Sequence, residues 1–289
     1  MASQSPQQRV DALAARSQVL RVDAGFGELQ FRYWPGPEKA PVLLLVHGGS
    51  GSWTHWVKNI VSLQRAYHLW AIDLPGLGES DTLPHGYSAE DAVQAFVLAC
   101  QRHPNLKRCH VVAFSWGCAV AAQGALRLSA NFQSLTLIGP ASIGDVSRAG
   151  GMKPLERRKP GMSAIELEAL HRTNLAHLMI ADVAKIDELA VYLQSSNTRR
   201  ARFNSPQFAR NTMVLEAVAS LALPIQVLYG DLDGPALPDV AGKERLFLEA
   251  NPHVQFCLVP GSGHWLAYEQ PEEFEQRLNT FIRQVTPEG

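Results

Sequence analysis

The sequence is short of several things, and each shortage closes off a class of protein. Only four of its 289 residues are cysteines (Cys100, Cys109, Cys118, Cys257), scattered and without a CxxC spacing. That argues against a disulfide framework or a thiolate metal site and for reduced thiols buried in a core. No apolar run approaches the roughly 20 residues that span a bilayer. The opening stretch MASQSPQQRVDALAARS has no apolar h-region, so the expectation is no secretory signal and a cytoplasmic location. Neither sign of charge dominates: 26 Lys and Arg against 27 Asp and Glu leave a formal net charge of −1. Nothing here draws the chain to nucleic acid or to an anionic membrane. Internal repeats and low-complexity tracts are also missing.

What is present is the material of a folded domain. Hydrophobic residues make up 46% and charged residues 18%, enough for a sizeable core. QVLRVD (18–23) and GELQFRYW (27–34) read as an antiparallel hairpin around a glycine-containing turn. PVLLLVH (41–47) is a near-continuous apolar run, as in a strand covered on both faces of a parallel sheet. Strands then alternate with helices: a helix over 56–66, a strand at 67–73, a helix opened by the Ser88–Asp91 capping signature, strands at 107–114 and 132–139 with a helix between. The rhythm resumes with strands at 223–230 and 254–260 and helices near 239–250 and over 272–285.

This predicts an α/β fold with a doubly wound, mostly parallel sheet. Residues 142–220 interrupt it with helical patterns (163–179, 182–196, 206–219) and no convincing strand, their start punctuated by Gly150, Gly151, Pro154, Pro160 and Gly161. The expected organisation is a core of 18–141 and 221–286, a helical insertion over 142–220, and a leader at 1–17.

Ligand crevices in such sheets lie at the carboxyl ends of the strands. VVAFSWG (111–117) places Ser115 between a strand and a helix. A nucleophilic turn reads G-x-S-x-G; here Ala113 replaces the first glycine and Gly117 keeps the second. On this pentapeptide alone Ser115 is equally an N-cap. A serine hydroxyl needs a base beside it. His264, in the loop VPGSGHWLA after the last strand, is the candidate, out of ten histidines. The base needs an acid to fix its tautomer. LYGDLDGPA offers Asp233, with Asp231 as runner-up in an Asx turn. HGGSG (47–51) follows the first long strand, and its backbone N–H groups can approach a reacting carbonyl. Gly49 and Trp116 are the natural oxyanion donors. HGGSG is not a phosphate loop, since no GK[ST] follows.

LLLVHGGSGSWTHW, AIDLPGLGESD, VVAFSWG, LTLIGPA, VLYGDLDGPALP and VPGSGHWLAYEQPEEF occur in this order. Together they resemble the α/β-hydrolase superfamily, and the insertion falls where that family carries its helical cap. The resemblance implies Ser115 as nucleophile, His264 as base, Asp233 as acid, and Gly49 with Trp116 as oxyanion hole. It implies no metal and no cofactor. Asp73 it treats as part of a structural turn.

HGGSG, LIGPASIG and His264-Trp265 further resemble the meta-cleavage-product hydrolases of aromatic catabolism, which cut a carbon–carbon bond in 2-hydroxy-6-oxo-dienoates. That group has Asn before the nucleophile, where this chain has Phe114, so a carboxylesterase stands equally open. It also has a cap arginine that holds the substrate carboxylate. Arg199, Arg200 and Arg202 are the candidates, against a solvated helix end. Expected substrate contacts are Gly48, Trp53, Phe114, Arg199, Arg202 and Trp265. The partner expected is a small, largely apolar or aromatic carbonyl compound, and a homo-oligomer is left open. A perhydrolase or haloperoxidase with the same triad, and a non-catalytic binder on the same fold, are the alternatives.

Overall fold

The computed structural model describes residues 4–144 and 152–286. A first helix, α1 (Pro6–Ala15), is opened by a Ser5–Gln8 capping box. It occupies most of the expected leader and docks on the body through Trp34, whose Nε1 donates to the Leu13 carbonyl at 3.0 Å. The sheet elements follow: β1 (Gln18–Asp23), β2 (Glu28–Trp34), β3 (Val42–Val46), a short α2 (Ile60–Leu63), β4 (His68–Ile72), α3 (Ala89–Arg102), β5 (Cys109–Phe114), α4 (Trp116–Arg127) and β6 (Phe132–Ile138). Next come α5 (Ala164–Leu178), α6 (Glu188–Arg200) and α7 (Met213–Ser220). The chain closes with β7 (Ile225–Gly230), α8 (Gly242–Ala250), β8 (Gln255–Val259), α9 (Leu266–Glu269) and α10 (Pro271–Val285).

The eight strands form one sheet in the order β1-β2-β4-β3-β5-β6-β7-β8. The β1–β2 and β2–β4 pairings are antiparallel and the rest are parallel. The apolar runs explain this: β5 and β7 are buried at every position, as strands covered by helices on both faces must be. Two apolar clusters lie on the two sides of the sheet. One gathers Phe31, Val46, Phe96, Val111 and Val227; the other Trp34, Leu45, Val112, Leu228 and Phe281. Cys100, Cys109 and Cys118 are buried in the first and unpaired, while Cys257 is half-buried and unpaired. The order reverses at β3, which lies between β4 and β5. Chain direction therefore diverges there and leaves a crevice above the carboxyl ends of β3 and β5.

Three expected helices come out differently, the one over 206–219 as a 3-10 turn (Ser205–Phe208) and the shorter α7. Over 56–66 only α2 and a preceding 3-10 turn (Trp53–Trp56) form. Tertiary anchors override helix propensity, with Asn59 Nδ2 donating to Ala267 O and Glu275 Oε1 at 3.0 and 3.1 Å. The helix expected at 182–196 starts later: Asp182 caps a separate 3-10 turn, and Asp187 caps α6 through Ala190 N–H. No strand lies among the described residues of 142–220. Within that span α7 packs into the layer flanking the sheet, its Val214, Ala217 and Val218 joining the same cluster as Val120. The structural cap is therefore α5, α6 and the turns around them. Gly150 and Gly151 lie outside the described residues. No described helix is long and apolar enough to cross a membrane.

Candidate active site

β5 runs directly into α4, and one residue makes the corner. Ser115 has φ 52° and ψ −117°, a backbone conformation that L-residues avoid and that costs on the order of 1–3 kcal/mol. Its surroundings hold it there: Ser115 N–H donates to Ile138 O at 2.9 Å, and its carbonyl accepts from Cys118 N–H at 3.0 Å. The turn brings α4 against β3 so closely that a Cβ on Gly117 would stand 2.3 Å from the His47 carbonyl oxygen. Glycine is required at 117. The Ala113 methyl, in place of the other glycine, is fully buried in the core. Ser115 makes no side-chain cap to α4, so the N-cap reading does not hold for its hydroxyl.

That hydroxyl instead meets His264. Ser115 Oγ lies 2.9 Å from His264 Nε2, and His264 Nδ1 lies 2.8 Å from Asp233 Oδ2. A carboxylate only accepts, so Nδ1 carries the proton and Nε2 is left to accept from the serine. Asp233 is fully buried, and its other oxygen accepts from Ala236 N–H at 3.2 Å. Asp231 stays in the loop, half-exposed, with Oδ1 accepting weakly from Ser262 N–H. Three residues from the ends of β5, β7 and β8 thus meet at one rim, in contact, within the crevice the topology opens.

The loop after β3 forms the facing wall. His47 sits at its root, donating from Nδ1 to Gly48 O at 2.7 Å and accepting at Nε2 from Leu74 N–H at 2.9 Å. Burial pushes its pKa down to about 4, which keeps it a neutral brace. Asp73 accepts from Trp53 N–H (2.7 Å) and Glu79 N–H (3.0 Å), and burial pushes its pKa up to about 6. It is a turn residue, away from the serine's hydrogen bonds. Gly49 and Trp116 both border the cavity. Their N–H groups make no hydrogen bond to another described residue and are open to a ligand oxygen.

The cavity above the rim measures about 750 Å³ and is lined by Ser115, His264, Gly49 and Phe114. The cap side supplies Asn174, Leu178, Gln194 and Thr198. Of the expected substrate contacts, only Phe114 lies on this wall. Gly48 is behind it, with Phe114 and Ser115 crowding its α-carbon. Trp53 is a core side chain, against Trp34 at 5.4 Å and under the Arg32 guanidinium at 5.1 Å. Trp265 stacks on Tyr268 at 4.3 Å and donates its indole N–H to His55 O. The arginines face outward: Arg199 is exposed, Arg200 pairs with Glu79, and Arg202 donates to Thr82 Oγ1 and Ser80 O, both at 2.7 Å. Arg199 and Arg200 lie in the last turn of α6, where cations suit the helix dipole, and Arg202 follows it. Among the described residues no cluster of His, Cys, Asp or Glu is arranged to hold a metal ion.

Several residues important to the site escape sequence reasoning. Gly139, ending β6 at φ 49°, leaves room for the acid–imidazole pair; a Cβ there would come within 2.8 Å of both Asp233 Oδ2 and His264 Nδ1. A glycine at the end of a central strand, on the same rim, is the signal that could have found it. Glu269 is buried and gives no such signal. Its carboxylate accepts from Gly263, Ala181 and Asp182 N–H at 2.7, 3.1 and 2.7 Å, binding the histidine loop to the end of α5. His55 lines the cavity with Nδ1 accepting from Gly48 N–H at 3.3 Å, and burial holds its pKa well down.

The chain is similar to several known proteins. A model of the alpha/beta hydrolase family matches residues 43–277. A dihydrolipoyllysine-residue acetyltransferase component of the acetoin cleaving system of Pseudomonas putida is 26% identical, over 97% of this chain and 78% of that protein. A 2-hydroxy-6-oxononadienedioate/2-hydroxy-6-oxononatrienedioate hydrolase of Paraburkholderia phymatum is 24% identical, over 94% of this chain and 97% of that protein. Among solved structures, the esterase RhEst1 of Rhodococcus sp. ECU1013 superposes with a TM-score of 0.75 at 21% identity, covering 94% of this chain and all of that one.

Proposed function

The chain belongs to the alpha/beta hydrolase family, and from that premise we propose that it is a serine hydrolase acting on an ester of a small, largely apolar or aromatic acid. One observation carries the reading: His264 bridges Ser115 Oγ and Asp233 Oδ2 at 2.9 and 2.8 Å. Ser115 Oγ attacks the carbonyl carbon while His264 Nε2 takes its proton, and buried Asp233 stabilises the imidazolium. The oxyanion faces the N–H groups of Gly49 and Trp116, at the amino end of α4, where the helix dipole favours negative charge. His264 then returns the proton to the leaving alcohol. Water, deprotonated by the same nitrogen, releases the acid from Ser115.

Carbon–carbon cleavage of a dienoate is the second reading. It is favoured by the near full-length similarity to the nonadienedioate hydrolase and by Arg157, a cation bordering the cavity. The outward set of Arg199, Arg200 and Arg202 removes the anchors expected for it, which puts the ester first.

An organophosphonate probe tests the chemistry. The expected result is a single adduct on Ser115, with Ser115→Ala losing about 10⁴- to 10⁶-fold in kcat. An unlabelled wild type, or a Ser115→Ala variant hydrolysing at the wild-type rate, sinks the proposal and leaves a binding protein. A panel of p-nitrophenyl esters beside 2-hydroxy-6-oxo-6-phenylhexa-2,4-dienoate separates the two readings: turnover of the dienoate alone chooses carbon–carbon cleavage.

A further inference from the structure

Among the cap residues that border the cavity, Ser205 stands against the loop after β3. This residue opens a 3-10 turn (Ser205–Phe208) that follows α6, and it lines the same cavity as Ser115. It is 6% exposed. Its hydroxyl presses against the loop after β3: a Cβ on Gly49 would stand 2.0 Å from Ser205 Oγ and 3.7 Å from the Trp116 Cβ. Ser205 Oγ therefore lies against Gly49, on the side of that residue where Trp116 also stands. Gly49 is glycine for a reason the turn alone does not give, since any side chain would expel Ser205.

Three of the nearby hydroxyls are already engaged, while Ser50 on the same wall makes no side-chain hydrogen bond to a described residue. Ser52 and Thr54 bond Asn197, and Ser142 Oγ donates to Phe208 O at 3.1 Å. Ser205 Oγ has no hydrogen-bond partner among the described residues. The residue is buried, but its unpartnered hydroxyl opens onto the cavity wall, where an oxygen of a bound molecule can take its hydrogen bond. A tetrahedral oxyanion has three lone pairs, and two backbone N–H groups leave one unserved.

We propose that Ser205 is a third donor to the oxyanion, delivered by the cap. The inference rests on the serine-hydrolase reading above. It makes the hole a joint structure: two N–H groups fixed by the sheet rim, and one O–H that is in place only when the cap is. A substrate too bulky for the cap to seat loses this donor, so acyl size is sensed in the rate of the chemical step as well as in binding.

The test compares Ser205→Ala with wild type on a p-nitrophenyl ester, beside a boronic acid that forms a tetrahedral adduct with the serine. The expected result is a fall in kcat of roughly 10- to 100-fold with KM within about twofold. The boronic acid should weaken by the same factor, with an unchanged melting temperature. A structural role would move KM or the melting temperature and leave the ratio of boronate to substrate affinity as it was. Ser205→Cys, similar in volume and a weaker donor, should fall between the two, and it serves if the alanine variant does not fold. Wild-type kcat and boronate affinity in a folded Ser205→Ala overturn the third donor while leaving Ser115 as nucleophile. A wild type that neither turns over ester nor takes the phosphonate overturns both.

Discussion

The rim of the sheet and the cap border the same cavity but are built on different terms. At the rim, backbone geometry sets each reacting side chain: Ser115 by a forced turn, His264 by a loop whose Trp265 N–H donates to Met179 O at 2.7 Å, Asp233 by a short turn after β7. The cap is attached by side chains as well as by backbone: Glu269 holds the segment after α5, Asn197 bonds Ser52 and Thr54, and Arg202 reaches the 80–82 segment, beside the backbone bonds of Trp265 N–H to Met179 O and Arg202 N–H to Gly76 O. Backbone placement tolerates little change. Side-chain latches can be exchanged singly, so under the proposed function the chemistry would be held at the rim and the cap would vary more freely.

Asp233→Asn gives the largest expected effect on that contrast. The amide keeps the shape of the carboxylate and removes its charge, so His264 loses both its tautomer lock and the stabilisation of its charged form. A fall of about 10⁴-fold in kcat is expected, with the melting temperature within a few degrees of wild type. Steady-state hydrolysis of a p-nitrophenyl ester measures it; a fall below about tenfold means the rim does not set the chemistry in this way.

The same contrast governs what could be read from the sequence. β3, β5, β6 and β7 were legible because strands buried on both faces are continuous apolar runs; Ser115 and Asp233 were legible because each stands just past one of them, and His264 because it follows the last strand in a glycine-containing loop. The cap had no such constraint. Two aspartates, Asp182 and Asp187, offer caps five residues apart, and only packing decides that the longer helix begins at the second. Trp53 and Trp265 look like pocket aromatics and are core, because composition does not say which side of a wall a ring occupies. Nor does it say that Arg199, in the last turn of α6, and Arg202, just after it, are exposed. Glu269, Asn197 and Ser205 act through partners more than 60 residues away in the chain, which local patterns do not encode.

Titration sharpens the comparison at a smaller scale. Burial holds the pKa of His55 well down and pushes those of His47, His103 and His110 down to about 4. The unfolded chain takes up their protons below its ordinary value near 6.5 while the fold refuses them until about 4. Stability is therefore lost as pH falls through that window, by about 2 kcal/mol per histidine at pH 5. Asp73, raised to about 6, acts oppositely and returns roughly 1 kcal/mol between pH 7 and 5. Urea unfolding at pH 7 and 5 should show the net loss. His103 packs between Phe31 (4.7 Å) and Trp70 (4.3 Å) with a buried, unpartnered Nε2. His103→Phe should flatten the dependence by about a third, and a stability that is level between the two pH values refutes the buried neutral histidines.

The smallest effect belongs to the cap latch. Asn197, 6% exposed in α6, accepts from Ser52 Oγ at 2.9 Å and donates to Thr54 Oγ1 at 3.0 Å. Asn197→Leu keeps the volume and removes those bonds, yet Ser52 and Thr54, 2.8 Å apart, can still satisfy each other. The cost should therefore stay near the low end for a buried hydrogen bond, about 1–2 kcal/mol in urea unfolding. KM should rise by a few-fold as the cap seats less well, and kcat should fall far less than in Asp233→Asn, because Ser115, His264 and Asp233 do not pass through this contact. Measured side by side, the two variants decide whether rim and cap are separable. A kcat lost equally in both would make the cap a part of the catalytic frame, and the division drawn between the two regions would have to go.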